Sequence, residues 1–194
     1  DHKRAFAGDT GPNTGGMGSY SAPNHLLPFM QKTDLEQAQR ITEQVAAAAF
    51  KETGQRFRGI LYGGFMATSD GVRLIEYNVR FGDPEAMNVL PLLQTDFVDV
   101  LEALAHGKLA STKIGFEKKA TVCKYAVPEG YPNNPKRGER IDISSTRTLE
   151  RIKGGSIRVY LGSVESADPQ NPDVLKMGGS RAVACVGIAD SLEE

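Results

Sequence analysis

The stretch "IEYNVRFGDPEAMN", Ile75 to Asn88, sets Glu76, Asn78 and Arg80 at alternate positions among apolar residues. In an extended chain alternate side chains share a face, so Leu74, Glu76, Asn78 and Arg80 are expected on one side and Ile75, Tyr77 and Val79 on the other. A carboxylate and an amide oxygen two residues apart can both reach a hard cation. Mg2+ takes such oxygen ligands and completes its octahedron with water and phosphate oxygens. An arginine one step further along meets the phosphate the metal leaves exposed, and its planar fork suits that task better than lysine. The same pattern is also that of an ordinary wet face on an amphipathic antiparallel strand, and the spacing alone does not choose between the two readings.

A second polar segment, "GDTGPNTGGMGSYSAP", carries glycines at 11, 15, 16 and 18 with Asn13 and Thr14 among them, and Lys3 and Arg4 lie just upstream. It is neither a Walker A loop nor a dinucleotide fingerprint. Its composition fits either a flexible linker or a substrate-covering loop whose backbone amides point at an anion, and the interspersed Asn, Thr, Met and Tyr favour the second.

The surrounding elements have to position these residues. "TDLEQAQRITEQVAAAAFKETG" is expected to be a long helix with Thr33 and Glu36 as a capping box and Gly54 closing it. "RGILYGGFMATSDGVRLIEYNV" reads as a hairpin turning at Ser69, Asp70 and Gly71, with Gly63 and Gly64 leaving space beside the backbone. "DPEAMNVLPLL" starts as a helix capped by Asp83 with Pro84 at its first position, and Pro91 distorts or ends it. "DFVDVLEALAHG" is a further helix after a Thr95 cap, stopping at Gly107. Past Lys108 short alternating runs, "ATVCKYAV", "SIRVYLGSV" and "RAVACVGIA", indicate a second, mainly β unit.

The bulk figures narrow the class. With 194 residues and 40% hydrophobic content the chain is globular, and 23 basic against 24 acidic side chains leave no field that would recruit nucleic acid or a membrane. Two cysteines, Cys123 and Cys185, sit in apolar runs outside any metal-binding spacing. They are expected to be buried reduced thiols, which favours a cytoplasmic location. No run is long enough to span a bilayer. The histidines at 2, 25 and 106 show no ligand spacing. The opening "DHKRAF" lacks an initiator Met and "IADSLEE" stops where a helix is expected to begin, so the chain is expected to be a piece of a longer protein.

Taken in order, "DHKR", "GDTGPNTGGMGSYS", "GGFM" and "IEYNVRFGDPE" resemble the carboxyl-terminal part of the phosphoribosylamine–glycine ligase (glycinamide ribonucleotide synthetase) family of the ATP-grasp superfamily. The similarity runs from Asp1 to Glu194, and "GGSRAVACVGIADSLEE" resembles the family's last strand and the start of its final helix. The resemblance implies an α+β fold: the carboxyl-terminal half of an ATP-grasp domain over 1–108, an antiparallel sheet with helices, then a small mainly β domain over 109–194, truncated at its end. It implies a ligase that uses ATP to phosphorylate the carboxylate of glycine, after which the amine of 5-phosphoribosylamine displaces phosphate to give glycinamide ribonucleotide in purine biosynthesis. Glu76 and Asn78 match Mg2+ (or Mn2+) ligands, and Arg80 the arginine on the transferring phosphoryl group. Lys3, Asp9, Asn13, Thr14, Gly15 and Gly16 fall in the substrate-bordering loop. Asp83 is either a group near the substrate amine or a helix cap only; Glu85 is read as structural.

The implied partners are ATP, glycine, 5-phosphoribosylamine and the missing amino-terminal part, without which the piece is expected to be inactive. Three positions depart from the family pattern: Ala7 where an acid is frequent, Met87 where Gln or Glu is, and no acid on the strand before Glu76. The rivals are another ATP-grasp carboxylate–amine ligase and a non-catalytic binding module on the same scaffold.

Overall fold

The computed structural model describes residues 1–194. In chain order its elements are β1 (His2–Phe6), β2 (Thr10–Ser21), α1 (Lys32–Thr53), β3 (Tyr62–Thr68), β4 (Gly71–Asn78), α2 (Ala86–Val89), a 3-10 turn at Leu90–Leu92, and α3 (Phe97–Ala105). After a second 3-10 turn (Leu109–Ser111) come β5 (Ala120–Ala126), β6 (Arg140–Asp142), α4 (Ser144–Lys153), β7 (Ile157–Leu161), β8 (Val164–Ser166), β9 (Val174–Met177) and β10 (Val183–Ala189). This is an α+β chain whose strand pairings are all antiparallel.

Two compact units interleave along the sequence: Asp1–Ser21, Asp83–Pro91 and Lys119–Glu194 form one, Ala22–Gly82 and Leu92–Lys118 the other. The first unit holds a five-stranded sheet in the order β1-β2-β5-β10-β7 and a three-stranded sheet β6-β9-β8. β10 lies between two partners, which suits its run "VACVGIA": Val183, Ala184 and Val186 are almost wholly buried. Ile143, Val159, Leu175, Ala182 and Val183 make one core cluster; Cys123, Ala184 and Val186 make another, with Met87, Tyr125 and Tyr160 packed against it.

In the second unit α1 covers the β3–β4 hairpin. Gln37 Oε1 accepts from the Val72 backbone N–H at 3.1 Å, and the Tyr77 hydroxyl donates to Thr42 Oγ1 at 2.8 Å. The hairpin turns where Ser69, Asp70 and Gly71 place it, with Gly71 at φ 102.

Several local expectations need correction. The capping box of α1 is Gln31 with Asp34, whose carboxylate accepts from the Gln31 N–H at 2.8 Å; the cap lies two residues ahead of Thr33, and the helix starts at Lys32. Asp96, not Thr95, caps α3, accepting from the Val98 N–H at 2.8 Å, while Thr95 Oγ1 accepts from the Gly115 N–H. Asp83 caps nothing: α2 begins at Ala86, and the Asp83 carboxylate is engaged elsewhere. The glycine-rich segment is a twelve-residue strand, β2, held by β1 on one side and, over Gly18 to Ser21, by β5 on the other. Helix α4 lies within the stretch read as mainly β. Asp190 to Leu192 form bends, and no helix follows in the remaining two residues. Cys185 is exposed, since it alternates with the buried Ala184 and Val186 along β10.

Candidate functional site

In the second unit the polar series of β4 is gathered by hydrogen bonds. Asn78 Nδ2 donates to Glu76 Oε1 at 3.2 Å, and Arg80 Nη2 donates to Asn78 Oδ1 at 3.1 Å. Arg80 Nη1 also donates to the Phe81 carbonyl at 2.7 Å, so the guanidinium is fixed at two points just beyond the strand end. Glu76 and Arg80 are exposed and Asn78 is half-buried.

The face assignment differs from simple alternation. Phe65 pairs with Leu74 and Gly64 with Glu76, leaving Ile75 as an extra residue in a bulge. Directly opposed residues share a face, so the extra residue puts Leu74 on the opposite side from Glu76 and Asn78. Leu74 joins Val72 and Tyr77 on the side facing α1, and Ile75 is exposed (62%). The bulge thus clears an apolar neighbour from the polar face. Space at Gly63 serves packing: a Cβ there would stand 2.6 Å from the Phe65 ring and 2.9 Å from Tyr77. Those two rings meet edge to face, with centroids 6.1 Å apart. Opposite Glu76, Gly64 leaves only an ordinary 3.7 Å approach to its Cγ.

The first unit contains the other candidates. Lys3 and Thr14 are tied by Thr14 Oγ1 donating to the Lys3 carbonyl at 2.8 Å, and the same oxygen accepts from the Gly16 N–H at 3.1 Å. That amide is therefore occupied within the protein. Asp9 lies at the tip of the β1–β2 hairpin with φ 56, apart from these contacts, and Asn13 pairs with Arg4 across the ladder. Gly15, Gly16 and Asp83 are brought together by a residue the sequence reading did not single out. Arg181 Nη1 donates to the carbonyls of Gly15 (3.0 Å), Gly16 (3.1 Å) and Asp83 (2.9 Å), while its Nη2 meets Asp83 Oδ2 at 2.8 Å. Asp83 Oδ1 accepts from the Tyr125 hydroxyl at 2.8 Å, and the guanidinium lies over the Tyr125 ring, 4.9 Å from its centroid. Burial, then the bond to Asp83, pushes the Tyr125 phenol up from its usual range, so it remains a donor. Burial foremost, then the charge of Asp83, pushes the nearby Cys123 thiol up to about 12. No spacing rule links position 181 to 15 or 83; the only signal was an arginine directly after the turn "MGGS".

A concavity of about 660 Å³ lies between β5, β10 and the Lys153–Ile157 segment of the first unit. It contains none of the residues above.

The chain as a whole is similar to known proteins. Residues 1–86 fit the family model described as phosphoribosylglycinamide synthetase, ATP-grasp (A) domain, which defines the class as ATP-grasp. Over the whole chain the identity is 50% with the phosphoribosylamine–glycine ligase of Methanocaldococcus jannaschii, covering 42% of that protein. It is 47% over 192 residues with the Methanosarcina barkeri enzyme of the same name, again 42% of its length. The crystal structure of phosphoribosylamine–glycine ligase from Thermotoga maritima superposes with a TM-score of 0.73 at 27% identity, covering all of this chain and 44% of that one. Over its whole length the chain is similar to phosphoribosylamine–glycine ligases, and it spans about two fifths of the length of these relatives. No helix is long and apolar enough to cross a membrane.

Proposed function

We propose that this chain contributes the metal- and phosphate-handling strand, together with substrate-side segments, to an ATP-dependent ligase that joins glycine to 5-phosphoribosylamine. The observation that carries the reading is the hydrogen-bonded series Glu76–Asn78–Arg80 at the end of β4. A relic scaffold has no physical need to hold three polar side chains in register on an exposed strand end.

The donor set fits a hard divalent cation. Glu76 and Asn78 offer a carboxylate and an amide oxygen on one face within a single hydrogen bond of each other. No cluster of three or more His, Cys, Asp or Glu accompanies them, so the ion would take its other ligands from water and phosphate oxygens. Mg2+ is the expected ion and Mn2+ its substitute; bound there, it would neutralise phosphate charge. Arg80, already held by Asn78 and Phe81, presents oriented positive charge to the γ-phosphoryl group without reorganising as negative charge shifts.

In the reaction, a carboxylate oxygen of glycine bonds to the γ-phosphorus as the bond to ADP breaks. The amine of phosphoribosylamine then attacks the acyl carbon, phosphate leaves, and the amine proton is released. Lys3, Asp9, Asn13, Thr14, Gly15 and Gly16 are assigned to substrate binding and Asp83 to the substrate amine side, all within the first unit.

The test uses the longest polypeptide the gene encodes. ADP release should require both glycine and phosphoribosylamine, and Glu76→Ala should lower turnover by about 100-fold or more with the fold retained by circular dichroism. Little loss would misplace the metal site. The 194-residue chain alone should release no ADP with glycine; measurable release would refute its dependence on the remaining part.

A further inference from the structure

We propose that Arg181 is a positioning residue for the substrate-side segment of the first unit, its guanidinium setting where the Thr14–Met17 backbone and Asp83 stand. The role assumes the ligase reading above; the geometry behind it does not.

The ladder between β1 and β2 pairs Arg4 with Asn13 but His2 with Gly18, so two steps along β1 span five along β2. Thr14 to Met17 therefore leave the ladder as a wide bulge, and their backbone groups need partners from elsewhere. Arg181 supplies two, for the carbonyls of Gly15 and Gly16. Carbonyls of consecutive residues in a strand point in opposite directions, yet those of Gly15 and Gly16 both reach the same Nη1, because Gly16 has φ 115. Gly16 needs to be glycine for this contact, and Gly15 leaves little room beside it. A Cβ on Gly15 would stand 3.1 Å from Arg181 Nη2, and one on Gly16 2.8 Å from Pro84 Cδ.

The same guanidinium fixes Asp83 through its carbonyl and its carboxylate, and Tyr125 holds the other carboxylate oxygen. Since a trans peptide sets N–H opposite C=O, turning the Gly15 carbonyl to Arg181 aims the Gly16 N–H at Thr14 Oγ1, which in turn holds the Lys3 carbonyl. One side chain, only 16% exposed, thus orders four residues assigned to the substrate side: Thr14, Gly15, Gly16 and Asp83. A planar fork can serve several acceptors at once; a lysine ammonium is a point charge and cannot reproduce the arrangement.

The experiment compares Arg181→Lys and Arg181→Met in the longest polypeptide the gene encodes, with a second readout on the 194-residue chain. Expected is a rise of about tenfold or more in KM for glycine or phosphoribosylamine, with KM for ATP unchanged and the melting temperature of the Lys variant close to that of the parent. In the 194-residue chain, amide NMR signals of Gly15, Gly16, Met17 and Asp83 should shift in the Lys variant while those of β3 and β4 stay put. Unchanged KM values, an equal rise for ATP, or unmoved glycine signals would each overturn the assignment. Failure of the parent enzyme to make ADP would instead remove the ligase reading, and the NMR comparison would still judge the clamp.

Discussion

Asn88 and Thr121 hydrogen-bond to each other in both directions: Asn88 Nδ2 donates to Thr121 Oγ1 at 3.0 Å, and that hydroxyl donates to the Asn88 carbonyl at 3.2 Å. Both are essentially removed from solvent. Asn88 Nδ2 also donates to the Ser19 carbonyl, and the Ser19 hydroxyl to Asn88 Oδ1. This network fastens the helix following the Glu76 strand to β2 and β5, and its full satisfaction is what makes burial of so many polar atoms tolerable.

Asn88→Ala is therefore expected to destabilise the first unit by about 1–3 kcal/mol, since it leaves the buried Ser19 hydroxyl without its acceptor and takes the Nδ2 donor from the Ser19 carbonyl and Thr121 Oγ1. Urea unfolding followed by circular dichroism measures it. A shift within the error of the midpoint would show that the network contributes nothing.

Gly16→Ala should cost about 1–3 kcal/mol, because φ 115 is a region L residues rarely adopt and the new methyl meets Pro84. Gly15→Ala should cost less, its Cβ meeting only the far end of the Arg181 side chain. The reverse order in thermal melts would contradict the geometry of the bulge.

Thiol reactivity should separate the two cysteines. Cys185 is exposed and Cys123 buried, with its thiol pushed up to about 12, chiefly by burial. In native protein near pH 8, thiol titration should find one reactive group, lost in Cys185→Ser, and a second only after denaturant is added. Cys185 itself should react more slowly than a free thiol, as partial burial raises its pKa too.

Acid should weaken the first unit through Glu150. Partial burial is the largest influence on this carboxyl and acts upward. The hydrogen bonds from Arg147 and the Val159 N–H, with the Arg147 charge, outweigh it and hold the pKa below the ordinary value. A carboxylate depressed by folding contributes stability that is complete above its unfolded pKa and is lost as pH falls through the folded one. The urea midpoint should thus fall below pH ~4.3, and Glu150→Gln should flatten that part of the curve. An identical pH dependence in the variant would remove Glu150 as the cause.

What the sequence disclosed were the features written in local spacing. Alternation around Glu76, Asn78 and Arg80 placed the metal and phosphate candidates on a strand end. Asp70 and Gly71 placed the hairpin turn, and the apolar period of residues 33–53 placed α1, because turn chemistry and side-chain periodicity depend on neighbours a few residues apart. Helix α4 went unseen since its run, "SSTRTLERIK", has only two large apolar residues, Leu149 and Ile152, and both stay exposed.

Tertiary structure alone decided three things. The bulge at Ile75 depends on which residue of β3 faces which residue of β4, a register no single strand contains. The glycine-rich segment became a strand because two distant segments flank it. And Arg181 reached Gly15, Gly16 and Asp83 from 98 residues beyond Asp83, a proximity set by the order of strands in a sheet. Contacts made by chain segments far apart in sequence carry no local periodicity, so only the assembled backbone can reveal them.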